Sequence, residues 1–75
     1  MLLPDNIHPE HCIYYNGAFV LKELQVDTKQ NLLDLYQNVK QKINITFPVF
    51  ILCLDWLFIL NVAILNNKGE VELCS

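Results

Sequence analysis

The segment from residue 47 to residue 60, FPVFILCLDWLFIL, contains a single charged side chain, Asp55. Thr46 can cap a helix at its start, and Asn61 can adopt the left-handed conformation that ends one. We therefore predict helix 3 over residues 46–60. A domain of this size buries only a little over ~60% of the surface of its unfolded chain. A chain of 75 residues has too small a core to bury a helix that is apolar on every side.

The two faces of helix 3 are predicted to have two different roles, one in the core and one at an interface. At 100° per residue, one face carries four apolar side chains that we assign to the core of the domain: Phe50, Cys53, Leu54 and Leu57. The opposite face surrounds Asp55 with three more: Leu52, Trp56 and Ile59. Monomers rarely expose large contiguous apolar patches, and Trp is enriched at interface hot spots. This second face is predicted to contact another protein; the alternative is a helix that serves the core alone.

Helix 1 shows a similar excess of apolar surface. Its inward face is predicted from residues at helical spacing: Ile13, Gly17, Val20, Leu21 and Leu24. Tyr15 and Phe19 point away from that face. The predicted partner interface therefore consists of six residues: Tyr15, Phe19, Leu52, Asp55, Trp56 and Ile59. Within it, Asp55 is either a rim residue or a hydrogen-bond acceptor for the partner.

The order of elements predicts an α+β fold of the winged-helix type, in which three helices precede a two-stranded hairpin. The single domain, residues 1–75, divides into an N-terminal arm (1–7), helix 1 (8–24), helix 2 (31–42), helix 3 (46–60) and the hairpin (62–74). Pro9 suits the first position of helix 1, and Asn31 begins a capping box for helix 2. The turn Asn66-Asn67-Lys68-Gly69 separates the two strands.

The charge distribution disfavours nucleic acid as a direct ligand. The chain has net charge −3, with five lysines, no arginine and eight acidic residues. Phosphate binding needs clustered basic side chains, and a DNA-reading winged helix places its third helix in the major groove. Helix 3 has no basic residue, so we do not expect direct DNA binding, although a complex containing this chain can contact DNA through other subunits. A winged-helix transcriptional regulator remains the alternative.

A membrane span and a secreted protein are also disfavoured by the sequence. Asp55 at the centre of a span would cost about 2.5–3.5 kcal/mol, and helix 3 covers only ~21 Å of the ~30 Å that is needed. A small single-span membrane protein is therefore an alternative and not the main hypothesis. The odd number of distant cysteines, Cys12, Cys53 and Cys74, indicates reduced thiols. We expect a cytoplasmic protein.

No motif for catalysis, a cofactor or a small-molecule substrate is visible. His8, His11 and Cys12 lie close together, but a structural zinc site needs four ligands, usually in two spaced pairs. His11 and Cys12 are neighbours on a predicted helix, so their side chains do not face each other as a nucleophile and its base would. We expect no metal, no cofactor and no enzymatic activity.

The order of motifs resembles a bacterial family, the sixth class of middle component of ABC-three-component conflict systems. The resemblance is carried by Leu3-Pro4, Pro9-Glu10, Gly17-Ala18, Leu35-Tyr36, the run from Phe50 to Phe58 and Ala63-Ile64 with the hairpin. Two positions depart from the family pattern. His8 stands where Ser is usual before helix 1, and Asn61 stands where Gly usually closes helix 3.

The resemblance implies a non-catalytic adaptor with a winged-helix-like fold. Such a subunit is encoded beside an ABC or SMC-type ATPase and an effector, in antiviral or anti-plasmid defence. It would form a hetero-oligomer with both and couple changes in the ATPase to activation or release of the effector.

Overall fold

The computed structural model describes residues 13–74, which form three helices and three short strands. In chain order these are α1 (Ile13–Val26), β1 (Lys29–Asn31), α2 (Leu32–Lys40), α3 (Phe47–Ile59), β2 (Ala63–Leu65) and β3 (Glu70–Leu73). The predicted N-terminal arm, and the predicted start of helix 1 at residue 8, lie outside these residues. The end of α1 falls two residues later than predicted and that of α2 two residues earlier, which is ordinary variation at helix ends.

The strands form one antiparallel sheet in the order β1-β3-β2. The α+β fold is therefore confirmed, and the order of elements is compatible with a winged helix. The predicted hairpin is present as β2 and β3, and β1 adds a third strand that was not predicted. Its three residues, Lys-Gln-Asn, have no apolar alternation, and only Gln30 is buried. The usual sequence signal of a strand is thus missing from β1.

The core lies between the three helices and one face of the sheet. The four side chains assigned to the core from helical spacing, Phe50, Cys53, Leu54 and Leu57, are all buried. The other buried side chains of the core come from α1, α2, the loop before α3, β2 and β3: Val20, Leu24, Leu35, Val39, Ile45, Ala63 and Val71. One face of α3 thus supplies the centre of the core.

Gln30 connects β1 to the two flanking helices through a buried amide. Its Nε2 donates to the backbone oxygens of Glu23 at 3.1 Å and Asp27 at 2.8 Å, both at the end of α1. Its Oε1 accepts from Asn38 Nδ2 of α2 at 3.0 Å. Glu23 also forms an ion pair with Lys42, just beyond α2. This network gives the Asp27 carbonyl a donor and adds a second donor to the Glu23 carbonyl, which also accepts from the N–H of Asp27 at 3.1 Å.

The two ends of α3 are closed differently. Thr46 occupies the N-cap position, but its side chain makes no capping hydrogen bond, contrary to the prediction. At the other end, Asn61 has φ 60°, as predicted. Its N–H donates to the oxygen of Phe58 at 3.0 Å, and the N–H of Val62 donates to the oxygen of Leu57 at 3.0 Å. These two bonds form a Schellman motif, which leads the chain directly into β2.

The hairpin turn is stabilised by the side chain of Asn66. Its Oδ1 accepts from the backbone N–H groups of Lys68 at 2.9 Å and Glu70 at 3.0 Å. Gly69 has φ 77°, a left-handed conformation that glycine adopts without steric cost. The turn therefore sets the register between β2 and β3.

Replacement of Asn61 tests the closure of α3. We expect Asn61→Ala to lower the free energy of unfolding by about 1 kcal/mol, because a Cβ-bearing residue without a polar side chain is strained in the left-handed region. Asn61→Gly should retain the stability of the original chain or increase it. Urea unfolding at one fixed protein concentration measures both variants. An Ala variant as stable as the Gly variant would contradict this account of the helix end.

Replacement of Gln30 tests the buried amide. Gln30→Leu should destabilise the chain by about 1–3 kcal/mol, because it removes the side-chain donor to the Asp27 carbonyl and the acceptor for Asn38 Nδ2. Gln25→Leu is the matched control, since Gln25 is exposed on α1. It should change stability by no more than about 0.5 kcal/mol. Equal effects of the two substitutions in urea unfolding would show that the Gln30 network does not hold β1.

Candidate interaction surfaces

The side chain of Trp56, a residue of α3, packs against α1 and is half-buried. A Cβ added to Gly17 would be 3.4 Å from Cε3 and from Cζ3 of the indole, so the ring lies directly against the glycine. Tyr14 meets the same ring edge-on, with centroids 4.9 Å apart and planes at 85°. Trp56 therefore joins the two helices as well as contributing to the outer surface.

Two exposed aliphatic residues of α3 flank Trp56. Leu52 is 51% exposed and Ile59 is 76% exposed. Residues four apart, and then three apart, lie on the same side of a helix, so Leu52, Trp56 and Ile59 form one stripe. With Tyr14, which is 55% exposed, these residues make up what we name the α3 patch.

Asp55 is exposed on the flank of this stripe. Within residues 13–74, no cationic side chain forms an ion pair with it. Its carboxylate is free to accept hydrogen bonds from outside the described part of the chain. This position suits the rim of an interface, where polar groups stay in contact with water.

Tyr15 and Phe19 form a second surface, which we name the α1 patch. Their rings are in edge contact, with centroids 5.2 Å apart. Tyr15 is 44% exposed, whereas Phe19 is half-buried against the core. Each stands two residues from Gly17, which is about 200° around a helix. The α1 patch therefore lies on the opposite side of α1 from the helix face that contacts Trp56.

The structure thus divides the six predicted interface residues into two groups. Four belong to α3: Leu52, Asp55, Trp56 and Ile59. The other two, Tyr15 and Phe19, lie around the far side of α1. Prediction from the sequence missed Tyr14, the aromatic partner of Trp56. Gly17 was the feature of the sequence that could have indicated this contact. A glycine in a helix leaves room for a large ring from a neighbouring helix, and Tyr14 lies three residues before it.

A polar cleft of about 410 Å³ lies elsewhere, between β1, α2 and the start of β3. Its charged lining residues are Asp27, Lys29, Asp34 and Glu70, and the others carry side-chain amides. In residues 13–74, no group of three or more His, Cys, Asp or Glu side chains is placed to hold a metal ion. The His8, His11 and Cys12 group considered from the sequence lies outside the described residues.

The length of α3 also bears on the membrane alternative. The helix has 13 residues. Among the helices in the described part of the chain, none is both long enough and apolar enough to cross a bilayer.

Comparison with known families identifies the chain. The sequence model of one family, ABC-three component (ABC-3C) system Middle Component 6, matches residues 3–74. No curated protein and no solved structure gives a significant match. The family match spans nearly the whole chain and agrees with the resemblance found from its motifs. The chain belongs to the Middle Component 6 family of ABC-three component systems.

Proposed function

We propose that this chain is a non-catalytic adaptor that links an ABC or SMC-type ATPase to an effector in a bacterial defence complex, acting against phages or plasmids in the cytoplasm. Membership in a middle-component family supports a role within a multi-component system. The observation that carries the adaptor role is the separation of the α3 patch from the α1 patch. A subunit that bridges two partners needs two such surfaces.

The α3 patch has the composition of a docking surface. Complete burial of a Leu or Ile side chain contributes about 1.5–3 kcal/mol, so covering the exposed parts of Leu52 and Ile59 would contribute on the order of 3 kcal/mol. Trp56 adds a large ring that the Gly17 contact already holds in place, so little side-chain freedom remains to be lost on binding. Asp55 supplies a charged acceptor at the edge of the patch. These properties fit a partner with an apolar groove and a donor at its rim.

The α1 patch offers a smaller, aromatic surface. The edge contact between Tyr15 and Phe19 orients both rings before any partner binds. Tyr15 combines an apolar ring with a hydroxyl, which is the combination enriched at protein interfaces. Because the two patches lie on different sides of α1, two partners can bind at the same time. The α1 patch is therefore suited to the second subunit of the proposed bridge.

Introduction of a negative charge into each patch tests the bridge. A double variant, Leu52→Asp with Ile59→Asp, should weaken binding of one of the other two components at least tenfold, which is about 1.4 kcal/mol. Tyr15→Asp should weaken binding of the other component by a similar factor. Trp56 is left unchanged, because its contact with Gly17 also holds α1 against α3. Binding is measured by affinity purification of the full chain co-expressed with both components, followed by titration of each pair.

Leu33→Asp is the matched control, since Leu33 is 59% exposed on α2 and belongs to neither patch. It should leave both affinities unchanged, and circular dichroism should show that all three variants remain folded. Loss of the same component from both patch variants would argue against a bridge. If both variants retain both components, the two patches do not form the interface.

A further inference from the structure

The outer side of α1 carries a lysine between apolar side chains. Phe19, Lys22 and Val26 are separated by three and then four residues, so they lie within about 60° of one another around the helix. Lys22 is exposed and Val26 is 78% exposed, whereas Phe19 is half-buried. In the part of the chain that the structure describes, no acidic side chain forms an ion pair with Lys22. We name these three residues the α1 row.

The surface beside Lys22 contains a shallow groove. It has a volume of about 170 Å³ and is lined by Ala18, Phe19 and Lys22. The methyl group of Ala18 is too short to fill the space between its two larger neighbours. A cavity of ~150 Å³ can hold a molecule as large as benzene, so this groove has room for one aliphatic side chain. The α1 row therefore places a hole for an apolar side chain next to a positive charge.

The outer side of α3 repeats this arrangement with the opposite charge. Leu52, Asp55 and Ile59 are also separated by three and then four residues. Asp55 therefore has the same place between two apolar side chains on α3 as Lys22 has on α1. All three α3 residues are exposed, and Asp55 has no ion-pair partner within residues 13–74. We name these residues the α3 row.

We propose that the α1 row of one copy of the chain binds the α3 row of a second copy, with the two helices parallel. Because the spacing is the same, each residue faces a counterpart: Phe19 faces Leu52, Lys22 faces Asp55 and Val26 faces Ile59. The side chain of Leu52 enters the groove beside Lys22. Opposite charges at matched positions fix this register, since any other alignment places a charge against apolar side chains. The contact forms in the isolated chain, so it does not depend on the proposed adaptor function.

The arrangement of the two rows makes the contact head-to-tail. Phe19 belongs to the α1 patch, which lies on the far side of α1 from Trp56, whereas Leu52 and Ile59 belong to the α3 patch. One copy therefore cannot bring its own two rows together. A closed two-fold dimer would need both rows on one face of the chain. Each pair of copies instead leaves one α1 row and one α3 row free, so association continues beyond a dimer.

The contact is small, which makes it reversible. A standard interface involves about 20–30 residues on each side, and two rows of three residues with their neighbours form a much smaller contact. We therefore expect the copies to separate on dilution. Each row shares residues with one patch, so a component that covers either patch competes with the neighbouring copy. Self-association thus covers apolar surface that the isolated chain would otherwise expose to water.

Analytical ultracentrifugation of the purified full chain tests the association. We expect the mean mass to rise steadily, from that of one chain at micromolar concentration to more than that of two chains at millimolar concentration. The mass of one chain at every concentration would overturn the proposal. Growth that stops at a dimer would overturn the head-to-tail arrangement.

Exchange of the two charges tests the register. Lys22→Glu and Asp55→Lys each place like charges opposite each other, so each should weaken association at least tenfold. The double variant, Lys22→Glu with Asp55→Lys, restores opposite charges and should recover the association of the original chain. Asp55→Lys also reduces the net negative charge of the chain. General repulsion between copies would therefore predict stronger association of this variant, whereas the proposed pair predicts weaker association.

Lys68→Glu is the matched control, because Lys68 is exposed in the hairpin turn and belongs to neither row. It changes the net charge by the same amount as Lys22→Glu and should leave association unchanged. Circular dichroism should show that every variant is folded, since all the substituted positions are exposed. Undiminished association of the single variants, or failure of the double variant to recover it, would refute the pairing of Lys22 with Asp55. Equal weakening by Lys68→Glu and Lys22→Glu would also refute it, because net charge alone would explain both.

Discussion

The contact between Trp56 and Gly17 determines how α3 is accommodated in so small a protein. An apolar helix needs cover on more than its core face, and a 75-residue chain has little with which to cover it. Gly17 lets the indole lie directly on the α1 backbone, which covers one flank of α3 without another structural element. The core face is buried separately, through Phe50 and its neighbours. The rest of the apolar surface of α3 remains exposed.

This arrangement also separates the two surfaces that the proposed function uses. Trp56 occupies one side of α1, so Tyr15 and Phe19, two residues away from Gly17 in either direction, are directed to the other side. The same helix contact that completes the fold therefore produces two distinct patches. At the other end of α3, the Schellman motif at Asn61 leads the chain directly into β2.

Features that depend on local periodicity were predictable from the sequence. The core face of α3, the left-handed residue at its end and the α+β class follow from spacing, side-chain type and punctuation. β1 was not predictable, because its placement depends on pairing with β3, on hydrogen bonds that Gln30 donates at the end of α1 and on one that it accepts from Asn38 of α2. The half-burial of Trp56 was also missed. It depends on a glycine 39 positions earlier in the chain, which no local pattern connects to it.

Site-specific photo-crosslinking in the assembled system tests the bridging role most directly. A photoreactive amino acid is placed at Leu52 in one sample and at Tyr15 in another, and mass spectrometry identifies the crosslinked subunits. The account predicts that the two positions crosslink to different components of the same complex. Crosslinks from both positions to one component, or from neither position to any component, would contradict it.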